Sequence, residues 1–587
     1  MKKAAQNRWM LIPMMIWIAI IPLIVKVKFM DNTLIDYPWA NSQTTIADFF
    51  LYYKSVLVVI TGVLMIACLA WKICSKKDSV PILNADTYIF IPIFAYVLLA
   101  IVSSVLSDTP YFCVHGMPEQ FESVWCLIAY VVAVIYFYYI VRYQDNEQNI
   151  LRTLYIGAFL VGFICVLQYF KIDIYRFMYE KKGYSFTFEK GTVYGPFYNI
   201  NYVGSYVLLL LPIFALTLIY IKDKKEKSVS VILCVLLLIA LYGSKSTTPN
   251  VAAVIVLAFA ISFLILKRMS TRRGRIAVGC ILAFIIIGTG IGSIPYIQSA
   301  ISASNTEKRT LKHIYTNNEN IEVDYNGHKM YIQLLMDEST FQFILADESQ
   351  TTLVAEYCSD STGNYYVCTD ERFQDLKIAP VLISEDPVIY GFQVSMDDKD
   401  WTFSNQINDD GSYYYISPTG KAAKLTPEIE VADSSFFADM SSLASGRGYI
   451  WNKTVTLMKQ YIILGSGADT YALVFPNGDF VDKYNNGYDN MNVTKPHNLY
   501  MQIAIQTGLV SLVCFLIFYL WYFVVSLRLY FKVQFDTPLS VLGFGIMLGT
   551  LGYMISGLAN DSTVTVAPIY WALLGMGIGI NHKLRLK

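Results

Sequence analysis

Unbroken apolar runs alternate with short polar connectors over residues 1–295 and again over 498–587. Between them lies a polar stretch whose apolar positions recur every second residue. A bilayer core takes about 20 apolar residues per helix. By that measure the chain holds twelve spans: 9–25, 55–71, 88–106, 124–141, 153–170, 202–221, 229–242, 251–266, 276–295, 499–527, 539–559 and 564–580. The first follows Lys2, Lys3 and Arg8 but is too long for a signal-peptide core, and no small-x-small cleavage site follows it, so it reads as an uncleaved anchor. With the N-terminus in the cytoplasm, one set of loops collects Lys72, Lys76, Lys77, Arg142, Arg152, Lys222, Lys224, Lys225, Lys227, Lys267, Arg268, Arg272, Arg273, Arg275, Arg528 and Lys532. The opposite short loops hold far fewer cations, which orients the bundle. The expected fold is an all-α polytopic membrane protein of twelve transmembrane helices, both termini cytoplasmic, with a small extracytoplasmic β-rich insert between helices nine and ten.

Four regions follow: helices 1–9 over 1–295, the β-rich insert over 296–435, an extracytoplasmic loop over 436–497, and helices 10–12 over 498–587. Inside the insert, 321–325 alternates, Asn326-Gly327 follows, and 330–334 alternates again. An Asn-Gly between alternating runs marks a hairpin. Further strands are expected at 340–345, 351–357, 365–369, 388–395, 401–404 and 413–417. Cys358 and Cys368 flank a turn-like run, and either a disulfide or two free thiols fits. In the loop, 454–461 has helical spacing.

Of the 587 residues, 55% are hydrophobic and 15% charged, against about 25% charged in soluble proteins. That excludes a soluble globule. Lys plus Arg (45) equals Asp plus Glu (45), so no basic surplus seeks nucleic acid. Ten cysteines are too few for a disulfide scaffold. The five histidines form no cluster with metal-ligand spacing, and no GxxxxGK[ST] occurs.

His497 sits at the mouth of span ten behind Pro496, where an imidazole can take a proton from an attacking hydroxyl; a polar interfacial residue without a role would look the same. Arg447, between Gly446 and Gly448, has the planar fork that suits a diphosphate, or it snorkels to headgroups. Lys245 interrupts two spans, a costly place for an amine. Asn199 and Asn201 open span six, and His115 and Glu119 precede span four, where amides and carboxylates meet sugar hydroxyls. Gly465-Ser-Gly467 offers backbone amides for an anion, though a plain turn also explains it. Asn560-Asp561 reads as a cap on a short turn.

The chain resembles the O-antigen ligase and polysaccharide polymerase superfamily of bacterial envelope enzymes. The likeness rests on Arg447-Gly-Tyr-Ile-Trp451 with Gly465-Ser-Gly467 and Phe475-Pro476, on Lys495-Pro-His497-Asn498-Leu-Tyr500 with Gly508, on Gly195-Pro-Phe-Tyr-Asn199-Ile-Asn201 with Leu211-Pro212, and on the large outer loop between spans nine and ten. Lys245 stands where the family typically carries an arginine, and so does Gln120; the β insert lies outside the common pattern. The resemblance implies an integral glycosyltransferase in the bacterial cytoplasmic membrane, acting on its outer face. It implies transfer of a saccharide from a polyprenyl-diphosphate donor to a hydroxyl of an acceptor glycan, lipid or envelope polymer, as ligase or polymerase, with inversion and without cofactor or metal. His497 would be the base, Arg447 and Lys245 would hold the diphosphate, and Asn199, Asn201, His115, Glu119 and Asn498 would bind substrate. A lipid-linked glycan flippase or other transporter is the rival, but the connection between spans six and seven is short and a transporter has no use for the folded insert. A sensor or adhesin would not need twelve spans.

Overall fold

The computed structural model describes residues 8–75, 85–143, 147–184, 188–269, 310–337, 340–361, 363–419, 422–444, 446–489 and 491–586. Among these residues, nine helices are long and apolar enough to cross a membrane: Tyr52–Cys74, Thr87–Val105, Val124–Tyr143, Gln148–Tyr169, Ile200–Tyr220, Lys224–Ser244, Thr247–Arg268, Leu509–Lys532 and Pro538–Ser556. Each matches an expected span. The first expected span is a shorter apolar helix, Leu11–Leu23. The span expected at 276–295 lies outside the described residues. The last, expected at 564–580, overlaps the helix Ala567–Arg585, which packs along Val124–Tyr143 and is buried from Ala567 to His582.

The expected continuous helix 499–527 is broken. A short helix, Leu499–Thr507, ends at Gly508, and Leu509–Lys532 resumes after it. Gly508 has φ +101°, a backbone that only glycine adopts cheaply. A helix end leaves carbonyls and amides without partners, and here one segment supplies both sets. The carbonyls of Tyr461 and Ile462 accept from the amides of Leu509 and Val510 at 3.0 Å each. The amides of Ser466 and Gly467 donate to the carbonyls of Ile505 and Gln506 at 2.8 and 3.0 Å. The break is therefore built into the bundle. It exists because 461–467 lies against it, which an apolar count along 499–527 cannot reveal.

The β-rich region spans 311–426 in two antiparallel meanders. The first has five strands, Leu311–Thr316, Ile321–Tyr325, His328–Asp337, Thr340–Asp347 and Thr352–Leu353; the second has seven, from Ala355–Asp360 to Ala422–Thr426. Ile321, Val323, Met330 and Ile332 of the first share one core with Ile378, Phe392, Val394, Trp401 and Phe403 of the second. The expected hairpin is present: Tyr325 pairs with His328, and Asn326 and Gly327 both have positive φ, as a two-residue primed turn requires. The disulfide alternative is overturned. Cys358 faces Tyr365 across its pair and Cys368 faces Ala355, so the thiols stand three residues apart along the strand and are both free. At about 3.3 Å per residue, with alternate residues on opposite faces, the two sulfurs cannot meet.

The loop helix runs Arg447–Leu457, seven residues earlier at its start than the apolar spacing of 454–461 implies. Before the first long helix, Lys28–Asp31 and Thr45–Asp48 form a small hairpin. The β-rich region is fastened to the segment inside this hairpin, because Lys424 Nζ donates to the carbonyls of Ile35 and Tyr37 at 2.5 and 2.7 Å.

Candidate functional site

Lys495-Pro-His497-Asn498 leads into Leu499–Thr507. Asn498 caps that helix: its Oδ1 accepts from the amides of Tyr500 and Met501 at 3.0 Å each, and its Nδ2 donates to Leu558 O at 2.8 Å. Its side chain is thus committed to holding the turn. His497 itself has φ +50°, strained for a residue with a Cβ. Its Nδ1 lies 3.0 Å from Asp561 Oδ2, with the His side chain 34% exposed and the Asp side chain 1%. Asp561 Oδ1 accepts from Asn498 N at 3.2 Å. Sequence reading gave Asp561 only a turn role; in the fold it is the acid behind the imidazole.

Arg447 opens the helix Arg447–Leu457. Trp451 is one turn further along, on the same face, and its Nε1 donates to Pro496 O at 3.0 Å. That bond seats the arginine's helix against the residue before His497. Arg447 is half-buried and makes no hydrogen bond or ion pair with a described residue. Its charge still reaches Asp561. Burial alone would push Asp561 up, but His497, Lys495 and Arg447 outweigh it and hold the carboxyl below its ordinary value.

Lys495 is buried, and its Nζ donates to Glu119 O at 3.1 Å and Tyr202 OH at 3.4 Å. Burial works against its charge, yet Tyr202, Asp561 and Glu119 keep it protonated beyond the usual lysine range. The expected Glu119 is therefore at the site's edge: its Oε2 accepts from Thr494 Oγ1 at 2.9 Å. Gln120 stands beside it, with its Nε2 donating to Thr494 O at 2.9 Å. Glu122, two positions on, is 3% exposed, and burial pushes its carboxyl up to about 7 against the pull of Ser562, Tyr130 and Gln502.

The other expected residues stand apart. Asn199 caps Ile200–Tyr220, its Oδ1 accepting from Asn201 N at 2.8 Å. Asn201 Oδ1 accepts from Ser246 Oγ, which brings the span-six motif to the loop after Lys245. Lys245 is exposed at the C-terminal cap of Lys224–Ser244, with no contact to His497, Asp561 or Arg447. His115 stacks on Tyr111 with ring centres 4.3 Å apart, and its Nδ1 lies 2.9 Å from Tyr111 O. It lines a cavity of about 730 Å³ with Lys28, Phe29 and Trp125, and none of His497, Asp561 or Arg447 lines that cavity. Gly465-Ser-Gly467 is a packing turn. Its amides are taken by Ser103 Oγ, Ile505 O and Gln506 O at 2.8–3.0 Å, and a Cβ on Gly465 would stand 2.2 Å from Gln506 C. No anion nest remains.

Lys495, Glu122 and Asp561 are not among the expected site residues. Lys495 lies inside a quoted motif, Glu122 lies three residues beyond Glu119, and Asp561 is a carboxylate at a span mouth, which is itself a signal. No curated protein matches the chain. Residues 412–516, which contain Arg447, His497 and Asn498, match the family model Wzy_C, O-antigen ligase, the superfamily that the sequence motifs resemble.

Proposed function

We propose that the protein is an integral-membrane glycan ligase or polymerase that transfers a saccharide from a polyprenyl-diphosphate donor to an acceptor hydroxyl. The observation that carries this reading is His497 Nδ1 set 3.0 Å from the buried Asp561 carboxylate, with the charge of Arg447, unpaired among the described residues, acting on the same acid. The family match and the long apolar helices support the class of reaction.

The chemistry follows from the arrangement. Asp561 engages Nδ1, so Nε2 is the nitrogen free to take a proton. The acceptor oxygen attacks the anomeric carbon and gives its proton to Nε2. The bond from that carbon to the diphosphate oxygen breaks, and the polyprenyl diphosphate leaves with the electron pair. Displacement in line inverts the anomeric centre. Charge growing on the diphosphate is met by the Arg447 fork; Lys245, exposed on the loop that Ser246 joins to Asn201, is the second cation assigned to this headgroup. Glu119, beside Lys495, binds sugar hydroxyls at this centre, Asn201 and His115 bind them further along the glycan, and Asn199 and Asn498 set their helices. Because the donor is already activated, no nucleotide or metal is needed.

The site faces outward from the bacterial cytoplasmic membrane in a twelve-span topology with both termini inside. Residues 296–435 form the insert, 436–497 the catalytic loop, and 498–587 the closing helices. The test is transfer in proteoliposomes supplied with a polyprenyl-diphosphate oligosaccharide and an acceptor glycan. His497→Ala and Arg447→Ala each abolish transfer, and EDTA leaves the wild type active. Undiminished transfer by both variants overturns the reading.

A further inference from the structure

Behind the His497–Asp561 pair lies a buried hydrogen-bond chain that the reaction above does not use. Glu122 stands just before Val124–Tyr143. Its Oε1 accepts from Tyr130 OH and from Ser562 Oγ, each at 2.8 Å. Its Oε2 accepts from Gln502 Nε2 at 3.3 Å. Gln502 Oε1 in turn accepts from Ser562 N at 2.7 Å. Ser562 follows Asp561 directly, so its hydroxyl is held by the glutamate and its amide by the glutamine.

The order of these bonds matters because the two ends of a side-chain amide are not equivalent. One only donates and the other only accepts. In this arrangement both oxygens of Glu122 accept, so Glu122 turns the Nε2 end of Gln502 toward itself and the Oε1 end toward Ser562 N. The loop bearing Asp561 then has one satisfied register. Buried polar groups make the alternatives costly, since a donor left facing a donor loses its bond without gaining water.

We propose that Glu122 is a positioning residue for glycan transfer: by fixing the amide of Gln502 and gripping Ser562, it sets Asp561 and, through it, the imidazole of His497. This rests on the reading of His497 as the base. Glu122 touches neither His497 nor any reacting atom; it acts only through this chain.

The chain makes an unusual test available. In Glu122→Gln the new amide can present its oxygen to Tyr130 and Ser562, but its nitrogen then faces Gln502 Nε2. Turning Gln502 over moves the conflict to Ser562 N. Turning the new amide over instead makes the Tyr130 and Ser562 hydroxyls accept, and their own protons then lose the oxygen that takes them now, so each arrangement costs a buried donor its present partner. Exchanging the two side chains, Glu122→Gln with Gln502→Glu, gives each of these donors an acceptor again, loses only the long 3.5 Å bond from Gln502 Nε2 to Ser562 O, and leaves the net charge unchanged.

Transfer is measured with the full chain in proteoliposomes, using the polyprenyl-diphosphate oligosaccharide as donor, with His497→Ala alongside. Glu122→Gln lowers kcat by about 100-fold, the scale expected when a catalytic group shifts by an ångström, with KM for the donor unchanged. The exchanged double variant recovers kcat to within a few-fold of wild type, which a carboxylate required at position 122 for its own sake would not allow. Wild-type kcat in Glu122→Gln, or a loss that the exchange fails to recover, overturns the proposal. Should Glu122→Gln not extract as a monodisperse protein, Ser562→Ala carries the test: it removes one hold without adding a donor, and wild-type kcat there is equally fatal. An active His497→Ala removes the base assignment; an inactive His497→Ala beside a fully active Glu122→Gln removes only the positioning role.

Discussion

Asp561 is an acid with almost no contact with water, and such groups usually turn neutral. It stays ionised because His497, Lys495 and Arg447 surround it. Asp561→Asn keeps the shape and the contact to Asn498 N but removes the charge that holds the imidazole. Steady-state transfer then falls by roughly 10²–10⁴-fold, with the donor KM little changed. Glu122 shows the opposite balance. It is faced by Tyr130 and Cys126 from the helix that follows it, by Gln502, Ser562, Asp561 and Tyr553 from neighbouring elements, and by Asp469, which accepts from its amide at 3.0 Å. Its folded value of about 7 exceeds the ordinary 4.5, so the folded state binds the proton more tightly than the unfolded one. Its contribution to stability is complete below pH about 4.5 and is lost as pH rises through about 7. Thermal unfolding of purified protein across pH 4.5–8 shows this decline in wild type and a shallower one in Glu122→Gln. His497 and Arg447 were legible as candidates in the sequence because each sits in a short, ordered motif. Asp561 was not, because its role comes from a partner on a different helix, and an acid in a short connector looks like a cap.

The apolar runs sufficed to find helices, because a span must satisfy its own backbone wherever lipid surrounds it. Breaks and starts were harder to read. Leu499–Thr507 and Leu509–Lys532 form one greasy run in sequence, and only the backbone of 461–467 beside it explains the interruption. Gly508→Ala tests that account. The positive φ costs about 1–3 kcal/mol, and the added Cβ would stand 2.3 Å from Ile463 O. The variant unfolds at lower temperature and loses transfer, since Leu499–Thr507 carries the His497 turn at its mouth. The helix Arg447–Leu457 starts before the apolar spacing does because its first turn is fixed by contacts elsewhere: Tyr449 N donates to Ser441 O at 3.2 Å and Gly448 N to Leu443 O at 3.0 Å. Trp451→Phe keeps an aromatic ring but drops the bond to Pro496 O, at a stability cost of about 1 kcal/mol and with a partial loss of transfer.

Across the molecule, alternating residues and the Asn326-Gly327 turn made the β-rich region readable as β, while its division into two sheets around one core depended on contacts far apart in sequence. The register that separates Cys358 from Cys368 gives a direct check. With no reductant present, a maleimide labels Cys358 in the native protein and the buried Cys368 only after denaturation, and mass spectrometry finds no cross-link between them. The core of this region also takes in Phe480 and Val481, which lie in sequence between Arg447 and His497. Lys399 pairs with Asp489, and Tyr484 OH donates to Asp397 O, across the same boundary. A chimera spliced with a relative at residue 435 would strand two greasy side chains in water and split an ion pair. The workable seam lies beyond residue 489, so the sandwich and the segment beneath it would have to be inherited as one cassette.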